Sequence, residues 1–197
     1  MTPIDISDLE ALYETFDKGH GPDHRDSVTD FALKLAENRA RNKYLVELAA
    51  KLHDIGISKG REGHELFGYQ MIQEDPRFDP LGLYNKRILA NAVREHRAST
   101  GKPTSMVGKI VSDADRASTW AVPYAPIKRA YEYGLVKYPE LSVDDQLTRA
   151  KSHIMEKYAP TGTGRRLYFP ESEKLINDSY GQITAADVAT MKQALGL

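Results

Sequence analysis

The feature that most constrains this chain is an apolar period of three to four residues, repeated from near one end to the other and interrupted only at glycine and proline. Leu9, Leu12, Tyr13 and Phe16 start it, in a segment that Asp5 or Ser7 can cap. The stretch Lys18-Gly19-His20-Gly21-Pro22 breaks it. Val28, Phe31, Ala32 and Leu35 resume it on a helix that starts near Asp23, in the i, i+3, i+4, i+7 spacing of one buried helical face. A third helix carries Leu45, Leu48, Ala49 and Leu52 and runs to about Asp54, with Gly56 placed as its C-terminal cap. The next helix covers about 62–74. Another puts Ile88, Leu89, Ala92, Val93 and His96 on one side, and a further one, capped by Thr104 or Ser105, turns Val107, Ile110, Val111 and Ala114 inward. Beyond Pro123 the pattern predicts helices over about 124–137 and 143–158. A loop follows over 160–166, then a short helix after Arg165 and a last helix over about 184–195 with Thr184 as N-cap. No segment alternates with the period of two that a half-buried strand requires. The expected fold class is therefore all-α.

Composition narrows the chemistry. The chain has 197 residues, enough for one domain with or without an appended subdomain. It contains no cysteine, so disulfides, thiolate-held zinc and thiol nucleophiles are excluded. Any metal must be held by His, Asp, Glu or water. A net charge of -1 gives no overall field to recruit duplex nucleic acid or an anionic membrane. The segment Met1–Glu10 carries Asp5, Asp8 and Glu10 and no apolar run, so it does not read as a secretory leader. No stretch approaches the roughly 20 apolar residues that span a bilayer. The expectation is a cytoplasmic protein with no membrane partner; a homodimer is left open.

The residues able to do chemistry are few. His53 and Asp54 stand together where a helix ends, and a turning chain can bring both side chains to one point. The alternative is a surface histidine beside a capping aspartate. His24 lies four before Val28 and Asp115 four after Val111, each in line with an apolar face. A carboxylate directed inward without a partner is costly, and either a metal or a neighbour such as Arg116 would relieve it. Two His and two Asp make a mixed nitrogen and oxygen site suited to manganese, cobalt, iron, magnesium or zinc.

These residues, in this order, resemble the HD superfamily of metal-dependent phosphohydrolases, whose signature is H…HD…D on separate helices of an all-α fold. The stretch Leu48-Ala-Ala-Lys-Leu-His-Asp-Ile-Gly56 is very close to the second motif, and Gly108-Lys-Ile-Val-Ser-Asp-Ala-Asp-Arg116 is close to the last. Ser152-His-Ile-Met-Glu-Lys157 and Thr163-Gly-Arg-Arg-Leu167 resemble the tail of small stand-alone bacterial and archaeal members, so that the likeness covers about residues 20–175. The resemblance implies a single HD domain over 1–197, with an HD helical bundle at about 20–120 and additional C-terminal helices over about 121–197. It implies His24, His53, Asp54 and Asp115 as ligands of a divalent metal, with Asp113 as the alternative to Asp115.

His64 and His96 resemble the extra ligands of the two-metal branch, which includes the symmetrical diadenosine tetraphosphate hydrolases and the HD-GYP phosphodiesterases. His64 follows Asp54 by only ten positions, and the region has neither a Gly-Tyr-Pro signature nor a His-His pair. In a one-metal site the same two histidines would contact phosphate, and His96 alone also fits a core histidine. The implied activity is hydrolysis of a phosphate ester or anhydride, most readily a nucleotide, by a metal-activated water. Asp54, His64 and His96 are the catalytic candidates, with one or two ions. Lys59, Arg61, Arg97, Lys102 and Arg116, together with Arg94, are candidates for substrate phosphate, since guanidinium and ammonium groups hold its oxygens; solvated helix ends are the alternative. Arg165 and Arg166 read as a phosphate clamp or as an exposed loop. His20, in a glycine-flanked loop that could approach the site, and His153 are read as neither ligand nor base, and nothing selects Tyr84, Tyr124 or Tyr168 as a base-stacking ring. Two further readings stay open, a two-iron oxygenase on the same ligands and a non-catalytic nucleotide- or metal-binding protein.

Overall fold

Helix follows helix through the computed structural model, which describes residues 3–197. Met1 and Thr2 of the segment read above as carrying no leader lie outside the described residues. In chain order the α-helices are α1 (Ser7–Ala11), α2 (Pro22–Ala36), α3 (Lys43–Leu52), α4 (His64–Glu74), α5 (Gly82–Glu95), α6 (Met106–Ala117), α7 (Ala125–Lys137), α8 (Val143–Lys157), α9 (Pro170–Ala185) and α10 (Val188–Leu195). Short 3-10 turns join several of them, and no strand occurs among the described residues. The fold is all-α. No helix among the described residues is long and apolar enough to cross a membrane.

The chain divides into two compact units. The first runs to Phe16 and resumes over His20–Arg116; the second comprises Asp17–Gly19 and Ala117–Leu197. In the first, α2 packs on α3, α4 on α5, and α3 on α5. Val28, Ala32, Leu35, Leu45, Leu48, Leu52, Ile72, Leu89, Val93, Ile110 and Val111 are buried, so the periodic positions of the sequence form this core. In the second, α7 and α8 pair as a hairpin, α8 meets α9 and α10, and α9 packs on the 3-10 turn Ser118–Ala121. Its core holds Trp120, Ile127, Tyr131, Leu147, Ala150, Ile154, Ile176, Ile183 and Met191.

Local chemistry explains the boundaries. Pro22 sits in the first turn of α2, where its missing N–H costs nothing. The Asn42 side chain caps α3 by accepting from Leu45 N–H. Of the two cap candidates for α6, Ser105 is the one that acts, its Oγ accepting from Gly108 N–H at 3.0 Å.

Three expectations are corrected. Gly56 does not cap α3, which ends in right-handed geometry at His53. Its need for glycine is steric: a Cβ would lie 2.0 Å from the His64 carbonyl oxygen and 2.5 Å from Gly68 N, so α4 can approach only a bare backbone. The short helix expected after Arg165 is the 16-residue α9 starting at Pro170; its polar run Asn177-Asp178-Ser179 and Gly181 hide the period. The last helix begins behind Asp187, whose side chain accepts from Thr190 N–H at 2.8 Å, and Thr184 belongs to α9.

Candidate metal centre

All six ligand candidates belong to the first unit and come from five places in its chain. His24 lies on the first turn of α2. His53 and Asp54 follow the last residue of α3, His64 is the first residue of α4, His96 follows the last residue of α5, and Asp115 stands near the end of α6. All of them except Asp115 are buried; the Asp115 side chain keeps 20% of its surface exposed.

The geometry falls into two groups that share one carboxylate. In the first, His24 Nε2 and His53 Nε2 are 3.3 Å apart, and Asp115 Oδ1 is 3.2 Å from His24 Nε2 and 3.9 Å from His53 Nε2. In the second, His64 Nε2 and His96 Nε2 are 3.3 Å apart. Asp54 faces both. Its Oδ2 is 3.2 Å from His53 Nε2 and 3.8 Å from His24 Nε2, while its Oδ1 is 3.2 Å from His64 Nε2 and 3.4 Å from His96 Nε2.

The outer nitrogens determine what the inner ones can be. His53 Nδ1 donates to the Ala50 carbonyl at 2.7 Å, His64 Nδ1 to the Arg61 carbonyl at 2.9 Å, and His96 Nδ1 to the Val93 carbonyl at 2.6 Å. A carbonyl can only accept, so each of these nitrogens carries the proton, and the neutral ring presents a bare lone pair at Nε2. This is how a ligating histidine is oriented at metal sites. Inside the cluster these Nε2 lone pairs meet carboxylate oxygens and one another, acceptor against acceptor. Only a proton on Nε2 or a cation reconciles such contacts. With two carboxylates and four imidazoles the donor set fits divalent metal ions, and among the described residues two groups of donors, His24 with His53 and Asp115, and Asp54 with His64 and His96, are close enough to do so.

Electrostatics agree with this arrangement. Burial pushes the Asp54 carboxyl upward, but the charge of His53 and the hydrogen bonds of His53, His64 and His96 outweigh it and hold the group well below the usual carboxylate range. Asp115 behaves alike, burial being overcome by His24 and by the charge of His53. Burial lowers His53, but Asp54 and Asp115 more than compensate and leave its pKa raised. A proton on His53 and a cation would therefore compete for the same place.

Asp113, the alternative ligand, is fully buried and joins neither group. Two residues apart on a helix means about 200° around its axis, so α6 cannot turn both carboxylates to the same point.

The basic candidates separate by exposure. Lys59, Arg61 and Lys102 are exposed. Arg61 reaches His20, its Nη1 standing 2.9 Å from His20 Nδ1, and the His20 ring lies edge-on to His24 at 5.9 Å. His20, set aside in the sequence, thus stands beside the first group. Arg97 is half-exposed and 3.4 Å from Glu65, a buried carboxylate that also lies 3.5 Å from His64 Nδ1. Arg116 is buried. Its Nη2 donates to Ser112 Oγ, which donates to the His96 carbonyl at 2.9 Å. Arg94 lies over the Tyr69 ring at 5.0 Å. Arg165, in the second unit, is not a loose loop residue: its Nε donates to the Tyr158 carbonyl at 2.9 Å, its Nη1 donates to Asn177, and it covers the Tyr180 ring.

Sequence reasoning passed over Tyr13, Glu65 and Ser112. Tyr13 is fully buried, and its hydroxyl accepts the backbone N–H of Asp54 at 3.1 Å. The only signal for it is a tyrosine within an aliphatic stripe, whose hydroxyl needs a partner once buried.

Residues 23–120 match the family model of the HD domain. A crystal structure of a predicted HD superfamily hydrolase from an uncultured Thermotogales bacterium resembles the chain with a TM-score of 0.58 and 20% identity, over 91% of this chain and 87% of that one. At that identity the likeness speaks for the fold. No curated protein matches the chain.

Proposed function

The chain belongs to the HD superfamily through the domain at residues 23–120, and from that premise we propose that it is a divalent-metal-dependent phosphohydrolase that cleaves a phosphate ester or anhydride, with a nucleotide as the expected substrate. The observation that carries the reading is Asp54, whose two oxygens each face a separate pair of imidazole Nε2 atoms. His24, His53, Asp115 and Asp54 Oδ2 would hold one ion; His64, His96 and Asp54 Oδ1 would hold a second. Divalent ions in such a site supply a lowered pKa for water and positive charge opposite a phosphoryl oxygen.

The protein's own groups do the rest. Asp54, kept ionised by its histidines, accepts a hydrogen bond from the attacking water and orients it. The water's hydroxyl bonds to phosphorus, the bond to the leaving oxygen breaks, and the released proton passes to that oxygen or to solvent. Lys59, Arg61, Arg97 and Lys102 are the donors for the non-reacting phosphate oxygens, a role that needs accessible charge. Arg116 was grouped with them from sequence; its burial behind Ser112 suits support of the His96 carbonyl instead. The spent Nδ1 protons of His64 and His96 favour ligation by these residues over hydrogen bonding to phosphate.

The test is an assay of purified protein with Mn²⁺, Co²⁺ or Mg²⁺ against a panel of nucleotides. Metal-dependent release of phosphate or pyrophosphate supports the reading, and no release with any metal overturns it. The same six donors would also suit two irons, so substrate-dependent oxygen uptake by iron-loaded protein would assign it to oxygenase chemistry instead.

A further inference from the structure

Asp54 can face both imidazole pairs only if its backbone is held where α3 stops, and what holds it lies outside the HD match. The last regular residue of α3 is Leu52. In a continuing helix the Asp54 N–H would donate to the Ala50 carbonyl. That carbonyl instead accepts from His53 Nδ1 at 2.7 Å. The Asp54 N–H leaves the ladder and donates to Tyr13 Oη at 3.1 Å, 41 residues away in sequence. The Asp54 backbone then takes φ −105° and ψ 4°, the turn into the 3-10 segment Ile55–Lys59. A buried N–H without a partner is costly, so this hydroxyl fixes where the chain turns.

Tyr13 is itself fixed. It is fully buried, its ring packs 5.0 Å from Phe16 and 6.5 Å from His53, and the Arg25 guanidinium lies 5.5 Å from its centroid. It follows α1, on the 3-10 turn Leu12–Thr15, ahead of the first residue of the HD match at 23.

We propose that Tyr13 is a positioning residue of the metal centre: by taking the Asp54 N–H that His53 displaces from α3, it sets the Asp54 carboxylate between the two histidine pairs, and the segment ahead of the HD domain thereby completes the site. This rests on the metal-centre reading above.

The experiment is a calorimetric and visible-absorption titration of Co²⁺ into the full chain, wild type, Tyr13→Phe and Phe16→Leu. Phenylalanine keeps the ring and removes only the acceptor. Tyr13→Phe is expected to bind Co²⁺ about 10–100-fold more weakly, as for other partners that orient ligands, with an altered absorption band. Phe16→Leu, which loses packing on the same ring, is expected to keep wild-type affinity and spectrum even if it melts earlier. Wild-type affinity and spectrum in Tyr13→Phe overturn the proposal. So does an equal loss in Phe16→Leu, because that makes the effect one of packing. Wild-type protein that binds no Co²⁺ overturns the metal centre and this inference with it, a pattern distinct from the other two. Should Tyr13→Phe not fold, amide exchange in the wild type decides: an Asp54 N–H protected like those of α3 supports the bond, and exchange at the rate of an open turn overturns it.

Discussion

The two units use the same device at their helix ends and are left with different remainders. In the second unit Gln146, fully buried, gives its amide protons to the Gly134 and Tyr138 carbonyls, and Arg149 gives one to the Ala130 carbonyl. Gly134 leaves room for both side chains, since a Cβ there would lie 2.1 Å from Arg149 Nη2 and push these side-chain ends aside. In the first unit His53, His64 and His96 likewise give Nδ1 protons to carbonyls three residues before them. The Gln146 and Arg149 contacts are complete once the donors are placed. An imidazole also carries an acceptor on its far side, and here those acceptors converge on Asp54 and on one another. The difference teaches that a helix-end donor is structural or functional according to what the rest of the side chain must still satisfy.

The sharpest way to break the comparison is to remove its centre. Asp54→Ala should lower metal-dependent hydrolysis by about 1000-fold or more, on the scale of deleting a principal electrostatic group, while circular dichroism shows an intact helical fold; wild-type turnover in this variant would remove Asp54 from the mechanism. Taking one member from each pair asks whether the groups are separate sites. His24→Ala and His64→Ala should each reduce bound metal from two equivalents to one by elemental analysis, and retention of two in either would deny its pair an ion of its own.

A third prediction concerns pH. His53 has a raised pKa, so in metal-free protein its protonated form adds stability that is fully present below the unfolded value of about 6.5 and is lost as pH rises through the raised one. Metal binding has the opposite sign, since ligands must give up their protons. The drop in Tm on adding a chelator should therefore grow between about pH 5 and 8, reaching the equivalent of about 2.7 kcal/mol when free metal is 100 times its Kd. A chelator effect that shrinks with rising pH would contradict this. The smallest effect belongs to the second unit: Gln146→Ala should cost about 1–2 kcal/mol in urea unfolding by removing two buried hydrogen bonds from carbonyls that keep their backbone N–H donors, with metal content unchanged. Loss of metal there would mean that the contrast between the units is wrong.

Much of the fold is legible because a helix records burial every third or fourth residue, and Val28, Leu35, Leu48, Leu89 and Ile110 are buried as their spacing predicts. The failures have physical causes. α9 reads as only a short helix because its polar face outweighs Ile176 and Ile183, and Gly56 reads as a cap because a cap and a close approach of backbone both call for glycine. In the candidate site, six ligand residues could be nominated from order and type. The role of Tyr13 was invisible, because a hydrogen bond across 41 positions leaves no local pattern.

The sequence by itself determined helices with inward stripes, an all-nitrogen-and-oxygen donor set and a His53-Asp54 pair at a helix end, because side-chain chemistry and helical period are local properties. Tertiary structure alone decided that Asp115 rather than Asp113 meets His24, that His64 and His96 form a second pair, and that one carboxylate faces both. Those are distances between atoms of separate helices, and they depend on where α2, α3, α4, α5 and α6 come to rest against one another.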